Sequence, residues 1–178
     1  MHSVDRRRTA RLLLARMEPD DYGDLLAMHR DERVMSTLGG VRSDAQTRDF
    51  LEMTLAHWER YGFGIWTVRD PATQRFTGRG GPHRVTIDGR EEVEIGYALM
   101  PEFWGRGLAT ELARESVAVA FTVLALPELI CFTLAGNHAS RRVMEKVGFR
   151  YERDIMWAGE PHVLHRQTAT AWRSQPPD

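Results

Sequence analysis

The sequence predicts a single mixed α/β domain whose main sheet is covered by helices. Segments with alternating apolar residues, typical of strands, are interleaved with segments whose apolar residues recur at helical spacing. The 178 residues are 42% hydrophobic and contain no repeat or low-complexity linker, so they suit one sizeable core. We therefore expect one domain over residues 1–178, with a flexible tail at residues 173–178.

The first half of the chain is expected to contain three strands and two helices. The strands, of which the third is weakened by its glycines, are predicted at Arg11–Ala15, Ile65–Arg69 and Phe76–Arg84. Pro19 begins a short helix that runs to about Met28, since proline favours the first helical turn. Ser43 and Gln46 match a capping box at the start of a longer helix, which Gly62 can end.

The second half contains the clearest strand, Glu92–Met100, followed by a long amphipathic helix from about Ala109 to Leu124. One face of the strand carries Val93, Ile95, Tyr97 and Leu99, and the other carries Glu92, Glu94, Gly96 and Ala98. A further helix begins at Asn137, a good N-cap, and ends at Gly148. The remaining strands, of which the last two form a hairpin, are predicted at Leu129–Leu134, Phe149–Trp157 and His162–Thr168.

The segment between the clearest strand and the long helix carries the strongest functional signal. Gly105 and Gly107 open the helix, so several backbone N–H groups lie bare at the positive end of its dipole, an arrangement that binds phosphate. No lysine follows these glycines as a Walker A loop requires, and a dinucleotide fingerprint would need a glycine where Thr110 stands. A pyrophosphate loop for an acyl-CoA and an ordinary strand-to-helix connection remain as interpretations.

Four short motifs occur in order around this loop: E-I-G-Y at 94–97, W-G-R-G-L-A-T-E at 104–111, N-H-A-S at 137–140 and E-K-V-G-F at 145–149. On these motifs the chain resembles the GNAT acetyltransferase superfamily, and most of all its branch of ribosomal-protein N-terminal acetyltransferases (RimJ/RimL-like). The order of elements is compatible from about Arg11 to Arg166. The resemblance implies an α/β fold with a mixed, mostly antiparallel sheet that is splayed at an acetyl-CoA site and flanked by helices.

The resemblance further implies that acetyl-CoA is the cosubstrate and is bound largely by the main chain. Leu99 and Met100 would offer backbone groups to the pantetheine arm, and a donor near Met100 would stabilise the oxyanion. The amides around the pyrophosphate would come from Trp104, Gly105, Arg106, Gly107, Leu108, Ala109 and Thr110. Asn137 would contact the CoA arm in addition to capping its helix.

Two residues are candidates for catalysis. Glu94 aligns with a strand glutamate that is the general base in some members of the family, although a surface acid beside Glu91 and Glu92 is the alternative. Many members place a proton-donating tyrosine where this chain has Met144, which cannot donate a proton. Ser140 is therefore the candidate general acid, with water, another hydroxyl or no dedicated acid as alternatives.

Composition and residue types exclude several other classes of function. The net charge of −1, from 24 basic and 25 acidic residues, lacks the basic excess of nucleic-acid-binding proteins. Arg6–Arg8 and Arg11 are expected to be solvated. The longest apolar stretch, Val117–Leu126, is about half of the ~20 residues needed to cross a membrane, so no membrane partner is expected.

Neither a metal nor a cysteine nucleophile is expected. His162 and His165 would point to opposite faces of a strand, and no further ligands lie near them in sequence. Cys131, the single cysteine, lies in an apolar run and is interpreted as a small buried hydrophobe. A lone cysteine also fits a reducing, cytoplasmic environment.

The sequence thus predicts an N-acetyltransferase that moves the acetyl group of acetyl-CoA to a primary amine by direct attack in a ternary complex. The alternative is an acyl-CoA-binding module for sensing or assembly, which Met144 favours and the presence of Glu94 and Ser140 opposes. A nucleotide-binding oxidoreductase would have to bind NAD, for which the loop is poorly matched. The acceptor can be a small-molecule amine or a protein N-terminus, since the fold does not determine it, and the protein can be a monomer or a homodimer.

Overall fold

The computed structural model describes residues 4–174, which form an eight-stranded sheet and six α-helices. The strands are β1 (Arg6–Arg8), β2 (Leu13–Arg16), β3 (Trp66–Arg69), β4 (Phe76–Ile87), β5 (Arg90–Leu99), β6 (Glu128–Leu134), β7 (Arg150–Trp157) and β8 (Glu160–Thr168). The helices are α1 (Tyr22–Arg30), α2 (Glu32–Met35), α3 (Asp44–Tyr61), α4 (Leu108–Thr122), α5 (His138–Val147) and α6 (Ala169–Arg173). Two single 3₁₀ turns precede α1 and the loop before α4, at Pro19–Asp21 and Pro101–Phe103.

The strand order is β1-β2-β3-β4-β5-β6-β8-β7, and neighbouring strands are antiparallel except β5 and β6. These two are parallel because the connection between them crosses over through α4. They are paired only at Glu94 and Ile130, so they separate as they run toward their carboxyl ends. The prediction of a mostly antiparallel sheet, splayed at one point and flanked by helices, is confirmed.

Local signals determine the helix ends that the sequence predicted. Ser43 and Gln46 exchange both hydrogen bonds of a capping box at the start of α3. Gly62 ends α3 and Gly148 ends α5, each in the left-handed conformation, with φ of 70° and 100°. Asn137 accepts the backbone N–H of Ser140 at 3.1 Å and so caps α5. These four predictions are confirmed.

Helices cover both faces of the sheet. On one face α4 and α5 pack against β5 and β6 in a core that includes Ile95, Val117, Leu129, Cys131 and Met144. On the other face Ala98 of β5 packs against α1 and α2, in a core with Met28, Val34 and Met35. Since side chains alternate along a strand, Glu94 lies on the face of Ala98, and Tyr97 lies on the face of Ile95. The opening between β5 and β6 is therefore bordered by Glu94 on one face of the sheet and by Tyr97 on the other.

The glycines that weakened the prediction of β4 are the reason that it packs closely. β4 runs over 12 residues, well beyond the predicted end at Arg84. A Cβ at Gly80 would lie 2.7 Å from the Gly96 carbonyl oxygen and 2.8 Å from the Leu112 side chain. Only a residue without a side chain lets α4 and β5 approach β4 this closely.

Both ends of the described chain are more ordered than the sequence predicted. Arg6–Arg8 forms an edge strand, and Arg7 pairs with Glu115 of α4 at 2.6 Å, so this arginine is not simply solvated. Arg173 is the last residue of α6, so the predicted tail does not begin there. Residues 175–178 of that tail lie outside the described part of the chain.

Candidate active site

A cavity of about 790 Å³ opens where β5 and β6 separate, within the size range of small-molecule sites. It is lined by ten of the twelve residues predicted to bind acetyl-CoA or to act in catalysis: Glu94, Leu99, Trp104, Gly105, Gly107, Leu108, Ala109, Thr110, Asn137 and Ser140. The other two, Met100 and Arg106, are not part of its lining. One cavity thus brings together residues from β5, from the loop before α4 and from the start of α5.

The loop before α4 has the backbone geometry of an anion site. Gly105 and Gly107 have φ of 72° and 75°, the left-handed region that glycine adopts without a Cβ clash. Within residues 4–174, the six N–H groups from Gly105 to Thr110 donate no hydrogen bond. They lie at the positive end of a 15-residue helix, so they fit a phosphate or pyrophosphate group.

Trp104 differs from the role that the resemblance implied. Its backbone N–H already donates to the Pro101 carbonyl at 3.1 Å, so the run of available amides begins at Gly105. Its indole Nε1–H donates to the Leu99 carbonyl at 2.8 Å, while 48% of the residue remains exposed. Trp104 therefore joins the loop to the end of β5 and contributes a side chain to the cavity wall.

The structure does not place Met100 as the sequence predicted. Its N–H donates to the Thr77 carbonyl at 2.9 Å, toward β4 and away from the opening, so it is not available to an oxyanion. Backbone groups of successive strand residues point to opposite edges, so those of Tyr97 and Leu99 face the gap instead. Their N–H groups are the β5 donors that face the gap, while the Leu99 carbonyl already accepts the Trp104 indole N–H.

Arg106 contributes backbone rather than charge to the loop. Its side chain is not part of the cavity lining, and its guanidinium carbon lies 5.7 Å from the Phe103 ring centroid. Its carbonyl accepts a hydrogen bond from Arg11 Nη1 at 2.8 Å, and Arg11 also binds Glu111 of α4. The conformation of the loop is therefore braced by Arg11, a residue that the sequence predicted to be solvated.

Glu94 lies in the cavity and not on the surface, with only 13% of its side chain exposed. Its Oε2 is 3.1 Å from Nε2 of His83, which stands directly opposite on β4. Gly96 leaves room beside this pair, since a Cβ there would lie 3.1 Å from His83 Cε1. His83 was missed in the sequence analysis, because only the β4–β5 register reveals it as the neighbour of Glu94.

Ser140 is part of a pair of hydroxyl groups on the opposite face of β5. The Tyr97 hydroxyl is 2.9 Å from Ser140 Oγ and 3.2 Å from the Ser140 carbonyl oxygen. Burial raises the pKa of Tyr97 well above its usual value, so this phenol stays protonated. The side-chain oxygen of Asn137 accepts the backbone N–H of Ser140 and so holds Ser140 in place. The side-chain NH₂ of Asn137 donates to Thr133 Oγ1 at 3.0 Å.

Met144 and Cys131, which lie close to these groups, have structural roles. Met144, one turn after Ser140, is 1% exposed and belongs to the core. Cys131 is confirmed as a buried residue, and its thiol donates to the Ile95 carbonyl at 3.1 Å. Burial raises the pKa of the Cys131 thiol well above its usual value, which disfavours the nucleophilic thiolate.

Two negative findings concern the described part of the chain. Among residues 4–174, no three His, Cys, Asp or Glu side chains come together in a way that could hold a metal ion. No helix in the same range is long and apolar enough to span a membrane.

The family assignment follows from comparison with known proteins. Residues 11–150 match the acetyltransferase (GNAT) domain family. The chain belongs to the GNAT family. Among curated relatives from Bacillus subtilis, the uncharacterized protein YkkB is 29% identical over 89% of this chain and 93% of its own length. YjcK, named a probable N-acetyltransferase, is 34% identical over 76% of this chain and 71% of its own length.

Solved structures of GNAT enzymes confirm the fold. A spermidine N-acetyltransferase from Vibrio cholerae, in complex with CoA and spermine, aligns with a TM-score of 0.75 at 18% identity and covers 93% of this chain and 100% of its own. A ribosomal-protein-S5-alanine acetyltransferase from Vibrio fischeri aligns with a TM-score of 0.76 at 17% identity, and the alignment covers 96% of this chain and 99% of that protein. The chain is therefore an acyltransferase of GNAT fold, and identities this low leave its acceptor undetermined.

Proposed function

We propose that this GNAT protein transfers the acetyl group of acetyl-CoA directly to a primary amine in a ternary complex. The observation that carries this proposal is the row of six available N–H groups that leads into the cavity at the splayed strands. The amine nitrogen attacks the thioester carbonyl, the C–N bond forms, and the C–S bond breaks with release of the CoA thiolate. Positioning of the two substrates supplies much of the rate enhancement.

The residues present fit acetyl-CoA along its length. The amides from Gly105 to Thr110 would hold the pyrophosphate, and the gap-facing backbone of Tyr97 and Leu99 would meet the pantetheine arm. A second cavity of about 650 Å³ shares Gly107 and Lys146 with the first, and its lining includes the carboxylates of Glu111 and Glu115 as well as Arg11, which Glu111 binds. Lys146, which lines both cavities, would suit a phosphate of CoA.

Glu94 and His83 would remove the proton that the amine must lose. The acceptor arrives as an ammonium ion at neutral pH and cannot attack until it is deprotonated. Glu94 accepts that proton, directly or through one water, and the His83 imidazole nitrogen at 3.1 Å can hydrogen-bond to the Glu94 carboxyl group. Both groups lie on the face of the sheet that is covered by α1 to α3, so the amine would enter from that side.

Ser140 and Tyr97 would return a proton to the departing thiolate from the opposite face. The two hydroxyls are bonded to each other, so Tyr97 can resupply Ser140 after transfer. Ser140 and Tyr97 would thus replace the proton-donating tyrosine that many family members have at the position of Met144, which here is buried in the core. A thiolate with a pKa near ~8.5 leaves readily, so the contribution of the pair is expected to be moderate.

The RimJ/RimL-like branch remains the subfamily that we infer. Its W-G-x-G-x-A-T-E loop is present at Trp104–Glu111, and a ribosomal-protein acetyltransferase is among the structural neighbours. Both a protein N-terminus and a small amine are compatible acceptors, because structural neighbours are named for each.

Binding of acetyl-CoA tests the proposal most directly. At about 100 times its dissociation constant, acetyl-CoA should stabilise the fold by about 2.7 kcal/mol, which for a chain of this size raises the melting temperature by roughly 5–10 °C. NAD should give no such shift, since the loop lacks the dinucleotide fingerprint. A thermal-shift assay with both ligands decides the matter: no shift with acetyl-CoA, or an equal one with NAD, would contradict the proposal.

The hydroxyl pair yields a second prediction. Ser140→Ala and Tyr97→Phe should each lower turnover by about 10- to 100-fold, at the low end for general acid catalysis. The double variant should be little worse than either single one, because the hydroxyls act as a unit. Tyr151→Phe, which removes an exposed phenol bonded to Asp154, is the matched control and should keep the wild-type rate. Full additivity in steady-state rates would show that the two hydroxyls act independently.

A further inference from the structure

The face of the sheet that carries Glu94 also presents two arginines that have no ion pair with any described carboxylate. Arg79 on β4 stands opposite Ala98, and Arg42 precedes α3. Both line the cavity. Arg79 is only 7% exposed, and its Nε finds no hydrogen-bond partner among the described residues. Arg33, which also lines the cavity, is different because Asp31 binds it at 2.6 Å.

The two guanidinium groups stack on the same aromatic ring. The Phe50 centroid lies 4.5 Å from the guanidinium carbon of Arg79 and 5.1 Å from that of Arg42. The His29 ring packs against the same phenyl group at 5.1 Å. Burial, together with the charges of Arg79 and Arg42, lowers the pKa of His29 to about 3, so His29 adds no positive charge.

A guanidinium group that no carboxylate binds directly is costly to bury. Burial first, and then the charge of Arg42, lowers the pKa of Arg79 to about 10, and the charge of Glu94 offsets this only in part. Removing a guanidinium from water without an anion to receive its hydrogen bonds is unfavourable. A cavity wall that holds two such groups close together is therefore complementary to an anion, and a planar carboxylate matches the guanidinium fork.

We infer that the acceptor amine carries an anionic group, a carboxylate foremost, which Arg79 and Arg42 bind while the amine faces Glu94. This inference rests on the proposed function and names the substrate class of the same site. Arg79 and His83 lie four residues apart on β4, which separates their Cα atoms by about 13 Å. That span accommodates an amine and a carboxylate joined by a short chain. A polyamine would instead bring a second ammonium group against the two arginines.

Pairs of amines that differ only in the anionic group test this inference with the wild-type protein. The pairs are 4-aminobutyrate with butylamine, lysine with 1,5-diaminopentane, and phosphoethanolamine with ethanolamine, the last as the phosphate arm. Acetylated product is measured by mass spectrometry, and binding of each amine to the CoA complex by calorimetry. We expect the anionic member of at least one pair to be favoured about 10- to 100-fold in kcat/KM and in affinity.

The outcomes separate this inference from the proposed function. Acetylation that proceeds equally well with the members that lack the anionic group would overturn the inference and leave the transferase activity standing. Binding that depends on the carboxylate or phosphate without any acetylation would support the anion site and contradict the proposed function. No preference in either measurement would overturn the inference.

Substitutions test whether Arg79 and Arg42 are the residues that bind the anionic group. Arg79→Gln and Arg42→Gln should raise KM for the favoured anionic amine about 10- to 100-fold, with KM for acetyl-CoA unchanged. Arg42 is only partly buried, so its variant tests the site even if Arg79→Gln does not fold. Arg84→Gln is the matched control, since Arg84 is also on β4 and stacks on an aromatic ring, Tyr61 at 4.9 Å, but does not line the cavity. An equal rise in KM in all three variants would contradict the assignment.

Discussion

Glu94→Gln should lower the turnover number by about 10²–10⁴-fold, the usual loss when a general base is removed. Glutamine keeps the shape of the side chain beside His83, but it cannot accept the proton that the attacking ammonium must lose. Affinity for acetyl-CoA should hardly change, because in the proposed complex most of that binding comes from backbone amides of the loop before α4, which donate no hydrogen bond within the described residues. Steady-state kinetics with an accepted amine, together with acetyl-CoA titration, measures both effects.

The pH dependence distinguishes loss of a base from loss of structure. Free amine becomes more abundant as pH rises toward its pKa near ~10.4, so the variant should recover part of its activity at alkaline pH. Glu91→Gln is the matched control, because Glu91 lies on the same strand with 64% of its side chain exposed and outside the cavity lining. A Glu94→Gln variant that keeps the wild-type rate at every pH would show that catalysis depends on positioning alone.

Gly107→Val should weaken acetyl-CoA binding by about 100-fold or more. Gly107 holds φ of 75°, a conformation that a β-branched residue rarely adopts, so the loop must change shape. A changed loop loses the alignment of several N–H groups with the pyrophosphate, and each such charge-assisted hydrogen bond contributes about 1.5–3 kcal/mol. Isothermal titration with acetyl-CoA gives the affinity, and thermal melting shows whether the variant is folded.

Strain at a turn can lower stability wherever it occurs, so this prediction needs a control with the same backbone. Gly89, in the tight turn between β4 and β5, has φ of 78°, and a Cβ added there would meet no atom within 4 Å. A Cβ added at Gly107 would likewise have open space, with only Arg11 Nη2 at 3.7 Å. Gly89→Val should cost a similar amount of stability, about 1–3 kcal/mol, and leave acetyl-CoA affinity unchanged. Equal affinities in the two variants would mean that the loop is only a connection.

The parts of the candidate site that could be recognised from the sequence are local in the chain. The loop from Gly105 to Thr110 is contiguous, and its glycines and helix start can be recognised without knowing what packs nearby. The cap at Asn137 and the stop at Gly148 are confirmed for the same reason. The sequence could not reveal that the Met100 N–H donates to Thr77, because the edge toward which a strand N–H points depends on which neighbour it pairs with.

The parts that the sequence did not reveal depend on contacts between distant residues. Tyr97 was visible within E-I-G-Y, but nothing in the chain placed its hydroxyl against Ser140, 43 residues away. The braced loop likewise depends on Arg11, which is 95 residues from Arg106. Edge pairing of β1 also required the sheet itself, because three arginines have no intrinsic signal for a strand.

The sequence alone therefore determined the family, the order of elements and the glycine-containing loop before α4, because each depends on residues that are neighbours along the chain. The tertiary structure alone decided which groups meet in the cavity. Glu94 acquires His83 through strand register, and the proposed anion site of the acceptor arises where Arg42 and Arg79, 37 positions apart, both stack on Phe50. Interactions of that kind have no sequence period, since they exist only after the hydrophobic core has brought the elements together.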